Sequence, residues 1–404
     1  MLSPAGAPSA IVLAGASALG AYQAGVVRYL VREVARDLPR RFRFQVLSGT
    51  SAGSINALAL ASSAAEPAAA VERMCDAWAG LDLQAVLRPS AIEVLAMAAD
   101  VAGLPGRLKR ALRAHGVRGG LLDPRPFERI LAPMVSPDAI AGAIAGGHLD
   151  AVAVATTHVA TGRAVVFEQG RLPPRPGGDT GAMVATRLTV QHGLASAAIP
   201  LLFPAVTIDG DLYCDGGLRQ MVPLSPAINL GARRILMVNP GSGERPGPAE
   251  AAARRAAAAS PLYLAGKALN ALFVDGLDGD LDRLAKVNQL LAAGERRYGP
   301  GFAAAIAEEL VAMGAPPLAP IDVIHLEPSR DVGEMAAEHV TGGHFALGRG
   351  AAGLALRWLA DGDPARTGDL LSYLLFDGAF ARALIELGEA DARARHADLV
   401  ALFA

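Results

Sequence analysis

The first sixty residues contain the same order of elements twice: a short apolar run, a loop of small residues and a helix. Residues 10–14 (Ala-Ile-Val-Leu-Ala) end at Gly15, as a buried strand does, and a helix is predicted over residues 21–36. Residues 42–48 predict a second strand, and residues 55–60 begin another helix. Two such units in succession favour an α/β fold with a central, mostly parallel sheet flanked by helices.

The rest of the chain continues this mixture of strands and helices. Residues 67–145 are predicted to be mostly helical, with breaks at prolines, and the tail from 330 to 404 is helical, with a break near residues 362–368. Residues 241–260 are rich in Gly, Pro, Ala and Arg and predict a mobile loop. Further strands are expected at 149–155, 164–167, 206–214, 235–239 and 322–326.

Composition excludes several classes of protein. The chain has 404 residues, 52% of them hydrophobic, which is enough apolar surface for a core and excludes intrinsic disorder. Its net charge of −2 lacks the basic signature of a nucleic-acid-binding protein, so we expect no nucleic-acid partner. Two cysteines, Cys75 and Cys214, are too few for a disulfide framework or a cysteine-rich metal site.

Three stretches of twenty or more residues carry no charged side chain: 1–27, 44–65 and 188–208. Their length raises the question of a membrane span, but each contains glycines, prolines or several polar residues that a spanning helix would exclude. The first stretch also lacks the positive start of a signal peptide. We therefore expect a cytoplasmic protein without a signal peptide or transmembrane helix, and another reason for these uncharged stretches.

The most specific local pattern is Gly49-Thr50-Ser51-Ala52-Gly53, placed where a predicted strand gives way to a helix. A serine at such a turn projects its hydroxyl outward, and the flanking glycines remove Cβ atoms that would clash there. The helix N-terminus also favours developing negative charge. The pattern indicates a nucleophile at Ser51; the alternative is a helix N-cap at Ser51 or Thr50.

Two other turns offer groups that a nucleophilic serine needs. Residues 15–20 (Gly-Ala-Ser-Ala-Leu-Gly), which we call the 15–20 loop, lead from a strand into a helix, so their N–H groups could bind an oxyanion, a phosphate or nothing. Ser17 stands where a dinucleotide fingerprint needs its middle glycine, which makes that motif a poor fit. Asp215-Gly216-Gly217 places a carboxylate at the end of a strand, although an ordinary Asp-Gly turn is the alternative.

In this order, the 15–20 loop, the Gly-x-Ser-x-Gly turn and Asp-Gly-Gly resemble the patatin-like phospholipases, which are serine hydrolases with a Ser–Asp dyad. The similarity extends over residues 21–26, 196–204, 209–210 and 222–224, and more loosely over 372–376 and 384–388. It implies a three-layer α/β/α catalytic domain over residues 8–328, with helical insertions at about 67–145 and 250–313. A helical C-terminal extension over 329–404 would pack on this domain.

Carried over residue by residue, the resemblance implies that Ser51 is the nucleophile and Asp215 the general base. The 15–20 loop would form the oxyanion hole, through Gly15, Ala16, Ser17 and Gly20, while Gly49, Gly53, Gly216 and Gly217 support the two turns. The implied activity is hydrolysis of a lipid or other acyl ester through an acyl-enzyme, with no cofactor and no metal ion. Because a carboxylate with a pKa of about 4 is a weak base, we expect an apolar site that raises it, with residues 188–208 as its source.

The 15–20 loop departs from the family's pattern of three glycines, a variable residue, a basic residue and a glycine. Ala16 and Ser17 replace two glycines, and Leu19 replaces the basic residue. Non-glycine residues disfavour positive φ, and loss of one oxyanion donor costs roughly 10²–10³ in rate. A non-catalytic or weakly active protein with a lipid-binding or regulatory role is therefore the alternative, and a hydrolase of small esters or thioesters is a third hypothesis.

One segment suggests contact with lipid, and another suggests a cover for the site. The largely apolar residues 92–104 precede a basic stretch that contains Arg107, Lys109, Arg110 and Arg113, a combination that can rest on an anionic membrane surface. The alternative is a solvated helix face beside a core helix. Residues 262–273 would form a lid or pack on the site. The sequence makes no prediction of the oligomeric state.

Overall fold

One mixed sheet of nine strands organises the computed structural model, which describes residues 7–38, 42–82, 86, 120–171, 182–241, 277–314, 317–341 and 372–404. The strands are β1 (Ser9–Leu13), β2 (Val46–Thr50), β3 (Ala151–His158), β4 (Ala164–Gly170), β5 (Ala182–Ala185), β6 (Val206–Ile208), β7 (Asp211–Asp215), β8 (Arg234–Val238) and β9 (Asp322–Leu326). Their order is β5-β4-β3-β2-β1-β8-β9, and β7 pairs with both β3 and β6. Five neighbouring strands, β3, β2, β1, β8 and β9, run parallel to one another. In contrast, β4 and β7 run antiparallel to β3.

Both faces of the central strands are buried, which explains why they read as continuous apolar runs. Side chains alternate along β1: Ile11 and Leu13 join the larger apolar cluster, and Ala10 and Val12 join a second cluster on the opposite face. The same alternation separates Val46 from Leu47 in β2.

Helices cover the two faces. The described helices are α1 (Gly20–Arg32), α2 (Ala52–Ser62), α3 (Pro67–Ala79), α4 (Arg125–Leu131), α5 (Pro137–Ala145), α6 (Val190–Ser196), α7 (Leu224–Asn229), α8 (Leu277–Tyr298), α9 (Phe302–Ala312), α10 (Val332–Thr341), α11 (Gly378–Ala394) and α12 (His396–Phe403). Side chains of α1, α2, α3, α5, α10, α11 and α12 fill the larger cluster, and α7 and α8 contribute to the other. The predicted three-layer α/β/α architecture is therefore confirmed. Within the described ranges, no helix is long and apolar enough to cross a membrane.

The structure differs from the sequence-based expectations at three strands. The predicted strand at 42–48 is observed as Val46–Thr50. The single run at 206–214 is a hairpin, β6 and β7, whose turn holds Asp209 and Gly210 at positive φ (51° and 92°). The edge strand β5 was not predicted, because it is short and lacks a buried side chain.

Several predicted features lie outside the described residues. These are most of the 241–260 loop, the 362–368 break, the 262–273 segment, the apolar residues 92–104 and the basic stretch that follows them.

The C-terminal helix α11 packs closely against α1. A Cβ on Gly25 would lie 2.0 Å from the carbonyl oxygen of Ile385, and one on Gly388 would lie 2.2 Å from that of Tyr22. Hydrogen bonding adds to this contact, since the Tyr22 hydroxyl donates to Asp391 Oδ2 at 3.0 Å. The helix that follows the 15–20 loop is thus fixed against the C-terminal part of the chain.

We expect Gly25→Ala to lower the free energy of unfolding by about 1–3 kcal/mol, because the added methyl group must displace the α11 backbone. Gly142→Ala is the matched control: this helical glycine has nothing within 4 Å of a Cβ, so alanine should add about 0.5–1 kcal/mol. Urea unfolding measures both changes. Equal effects of the two substitutions would contradict the described packing.

Candidate active site

Ser51 lies between the end of β2 and the start of α2, in a strained backbone conformation with φ 51° and ψ −125°. The turn is tight enough to exclude side chains at both flanking glycines. A Cβ on Gly49 would lie 2.3 Å from the Gly53 carbonyl oxygen, and one on Gly53 would lie 2.2 Å from that of Leu13. This is the geometry of a nucleophile elbow, in which strain at the serine holds its hydroxyl clear of the helix.

The alternative of a helix N-cap is not supported by the hydrogen bonds. Ser51 occupies the N-cap position of α2, but its side chain makes no capping hydrogen bond. The Thr50 hydroxyl donates to the Gln220 carbonyl oxygen at 2.7 Å. The Ser51 hydroxyl is therefore not used by the helix.

A hydroxyl on α6 holds the backbone of Ser51. The Ser51 N–H donates to Ser196 Oγ at 2.9 Å, and Ser196 Oγ donates in turn to the Ala155 carbonyl oxygen in β3 at 2.6 Å. On the other side, Ser54 Oγ donates to the Ser51 carbonyl oxygen at 2.7 Å. Sequence reasoning included Ser196 only within a family-like segment; its polar side chain in an uncharged, buried stretch was the available signal.

Asp215 ends β7 and is fixed through its backbone and one carboxylate oxygen. Its N–H donates to the Ala198 carbonyl oxygen at 2.9 Å, and its own carbonyl oxygen accepts from Thr157 Oγ1 at 2.8 Å. Oδ1 accepts from the Gly217 N–H at 2.7 Å. Gly216 lets this turn approach β3, because a Cβ there would lie 2.3 Å from a β3 carbonyl oxygen.

The Asp215 carboxyl group is fully buried, and burial raises its pKa to about 7. The Gly217 N–H and the Ser51 hydroxyl both lower this pKa, but by less than burial raises it. Oδ2 has no hydrogen-bond partner among the described residues, so the interaction with Ser51 is not an aligned hydrogen bond. The structure thus brings together the two predicted residues, and the expected upward shift of the pKa is present.

The 15–20 loop lies beside Ser51, since a Cβ on Gly15 would be 3.5 Å from the Ser51 Cβ. Two of its predicted donors bind other backbone groups. The Gly15 N–H donates to the Met221 carbonyl oxygen at 2.9 Å, and the Gly20 N–H donates to the Ser17 carbonyl oxygen within a 3₁₀ turn. The N–H groups of Ala16, Ser17 and Ala18 have no acceptor within the described parts of the chain. Ala18, which was not predicted, is therefore a further candidate donor, because its N–H has no acceptor in the described part of the chain.

A buried polar network fixes the end of this loop. Asn56 Nδ2 donates to the Gly20 carbonyl oxygen and to Gln23 Oε1, both at 3.0 Å, and its Oδ1 accepts from Trp78 Nε1 at 2.8 Å. Gln23 Nε2 donates to the Ala14 carbonyl oxygen at 2.8 Å. Sequence reasoning missed this network; the signal was two amide side chains inside otherwise apolar helices.

Arg107, Lys109, Arg110 and Arg113, the candidate membrane contacts, lie outside the described residues. Among the residues that are described, no group of three or more His, Cys, Asp or Glu side chains is arranged to hold a metal ion.

Comparison with known proteins gives one family match. A family model described as patatin-like phospholipase matches residues 11–228, more than half of the chain. No curated protein matches. One similar solved structure is VipD from Legionella pneumophila, at 13% identity and a TM-score of 0.28. That match covers 66% of this chain and 55% of VipD, so the chain spans about half of that relative. On the family match, the chain belongs to the patatin-like phospholipase family.

Proposed function

We propose that this protein hydrolyses acyl esters of lipids, with Ser51 as nucleophile and Asp215 as general base. Family membership supports lipid hydrolysis in general terms. One observation carries the finer assignment: a fully buried carboxyl group with an unbonded Oδ2 lies beside a serine on a strained elbow. An unpartnered buried carboxylate is costly to keep, which is typical of a functional site.

In the acylation step, Ser51 Oγ attacks the ester carbonyl carbon while its proton passes to Asp215 Oδ2. The carbonyl π electrons move to the oxygen, which becomes an oxyanion. When this tetrahedral intermediate collapses, the C–O bond to the alcohol breaks, and Asp215 returns the proton to the leaving oxygen. The products are the free alcohol and an acyl-enzyme on Ser51.

Deacylation repeats the sequence with water as nucleophile. Asp215 accepts a proton from the water as it attacks the acyl carbon, and it gives the proton back to Ser51 Oγ as the fatty acid leaves. A pKa near 7 suits this cycle, because the carboxyl group must both accept and donate a proton near neutral pH.

The free N–H groups of Ala16, Ser17 and Ala18 are the proposed donors to the oxyanion. Buried donors that are fixed before the reaction stabilise developing charge without reorganisation, which makes them effective. The Ala52 N–H, directly after the nucleophile, also has no acceptor among the described residues and is a further candidate.

A catalytically silent protein with a lipid-binding or regulatory role is the second candidate. Ser17 favours it, because this non-glycine residue has a φ of 47° in the 15–20 loop. The two candidates differ in the reactivity of Ser51, which can be measured directly.

A fluorophosphonate probe should label the wild-type protein at Ser51, and Ser51→Ala should abolish labelling because the nucleophile is removed. Ser136→Ala is the control, since Ser136 contacts Ser62 at the end of α2 away from Ser51. Failure of the wild type to label with probes of several chain lengths would favour the silent protein. Hydrolysis of phospholipid vesicles, compared with that of short p-nitrophenyl esters, then separates a lipid hydrolase from a small-ester hydrolase.

The value of kcat/KM should rise about tenfold per pH unit below pH 7 and level off above it, because Asp215 acts only when deprotonated. Asp215→Asn should reduce kcat by at least about 10²-fold. A profile that is flat between pH 5 and 8, or an unchanged kcat in Asp215→Asn, would show that another group is the base.

Asp215 should also make stability depend on pH. Its pKa is about 7 in the folded state and about 3.9 when unfolded, so the carboxyl loses its proton more readily in the unfolded chain. Its contribution is therefore full below pH 4 and is lost as pH rises to 7. Asp215→Asn should gain unfolding free energy relative to the wild type over this window, as measured by urea unfolding at pH 5 and 8. A difference that does not change with pH would contradict the raised pKa.

A further inference from the structure

We propose that the C-terminal segment 372–377 holds the 15–20 loop in its active shape through a hydrogen bond from the Ser17 side chain. Ser17 Oγ donates to the Tyr373 carbonyl oxygen at 2.7 Å, across 356 residues of sequence. This assigns Ser17 a second role, as a positioning residue through its hydroxyl, besides its backbone N–H as a proposed donor to the oxyanion. The inference rests on the proposed function, because it concerns the donors to the oxyanion.

Ser17 needs such a contact because of its backbone. Its φ of 47° lies in the left-handed region, where glycine is favoured and other residues are strained. A strained conformation persists only where the surrounding structure holds it. Within the described part of the chain, the Ser17 hydroxyl, which glycine lacks, makes a single hydrogen bond, and its acceptor lies in the C-terminal segment.

The acceptor is itself firmly placed. Tyr373 lies just before α11, whose N-cap is Asp377; the Asp377 side chain accepts from the N–H groups of Ala379 and Phe380 at 2.9 and 3.0 Å. His339 Nε2 is 2.9 Å from the same carboxylate. Between these points, Leu375 and Phe376 are buried in the larger apolar cluster. The Tyr373 carbonyl is therefore part of an anchored turn.

The hydrogen bond acts on the part of the loop that is otherwise least restrained. Gly15 is held by the Met221 carbonyl oxygen, and Gly20 by Asn56 and by the packing of α1 on α11. Between these ends lie Ala16, Ser17 and Ala18, whose N–H groups have no acceptor among the residues that the structure describes. Ser17 is the middle residue of the three, so a restraint on its side chain sets the direction of all three donors.

The Ser17→Gly substitution distinguishes a positioning role of the hydroxyl from an effect of backbone strain alone. Glycine relieves the backbone strain and restores a residue that suits positive φ, so a loop whose only defect is strain would become more active. If the hydroxyl positions the loop, glycine should instead lower activity, because it removes the hydrogen bond and adds conformational freedom. Ser17→Ala removes the hydroxyl alone and keeps the strain.

The test compares Ser17→Gly and Ser17→Ala in the full chain, with Ser136→Ala as the control for loss of a distant hydroxyl. Both Ser17 variants should lower kcat by about tenfold, the change expected for one net hydrogen bond, with KM changed by less than about twofold. Amide exchange in peptides covering residues 15–20 should quicken by about the same factor. Unchanged exchange and kcat in Ser17→Gly, or a higher kcat, would overturn the proposal.

The exchange measurement separates this proposal from the proposed function. It needs no substrate, and it reports on the hydrogen bonds of Gly15, Leu19 and Gly20 in the folded chain. A wild type that neither labels nor hydrolyses esters would overturn the proposed function, whereas unchanged exchange in both Ser17 variants would overturn the positioning role. A Tm near that of the Ser136→Ala control shows that the variants are folded; a variant that fails to fold leaves the other to decide.

Discussion

The central constraint on this structure is the burial of the Asp215 carboxyl group, which has no opposite charge beside it in the described part of the chain. A buried carboxylate would normally need an ion pair, but among the described residues the groups that stabilise the charge of Asp215 are the Gly217 N–H and the Ser51 hydroxyl. An arginine or lysine beside it would stabilise the charge and lower the pKa, which would make it a poorer base. The described parts of the three uncharged segments, residues 7–27, 44–65 and 188–208, meet here through the 15–20 loop, Ser51 and the residues of α6 and its C-terminal end. Their composition is explained by this requirement.

Close backbone approach is the second feature on which the site depends. At Gly49, Gly53 and Gly216 a Cβ would come within 2.3 Å of a carbonyl oxygen, so the elbow meets β1, and the Asp215 turn meets β3, backbone to backbone. Such contacts leave little freedom for the strands to move independently. They fix the turn that carries Ser51 and the turn that carries Asp215, which follow two different strands.

The parts that could be predicted from the sequence are those set by local pattern. The β1 run, the β9 run, the strained turn at Ser51 and the Asp215 turn each follow from apolar periodicity or from glycine spacing within a few residues. The order of those motifs then led to the family and to the three layers.

The features that were missed depend on contacts between distant parts of the chain. Ser196 joins Ser51 to β3, and Asn56 joins Gly20 to Trp78, although each of these residues looks like an ordinary small or polar residue in its own segment. No pattern in the sequence indicates that Tyr373 accepts from Ser17, because a backbone carbonyl has no side-chain signature. The short edge strand β5 was missed for a related reason, since its few residues show no buried face.

The sheet order has a consequence for how much of the chain is one folding unit. The family match ends at residue 228, but β8 begins at Arg234 and pairs with β1 along its whole length. A chain ending at the match would leave β1, the strand that leads into the 15–20 loop, with unpaired N–H and C=O groups on one side. An apolar edge of that kind invites pairing with other molecules and aggregation. The strand that leads into the 15–20 loop is an interior strand only because later residues of the chain pair with it.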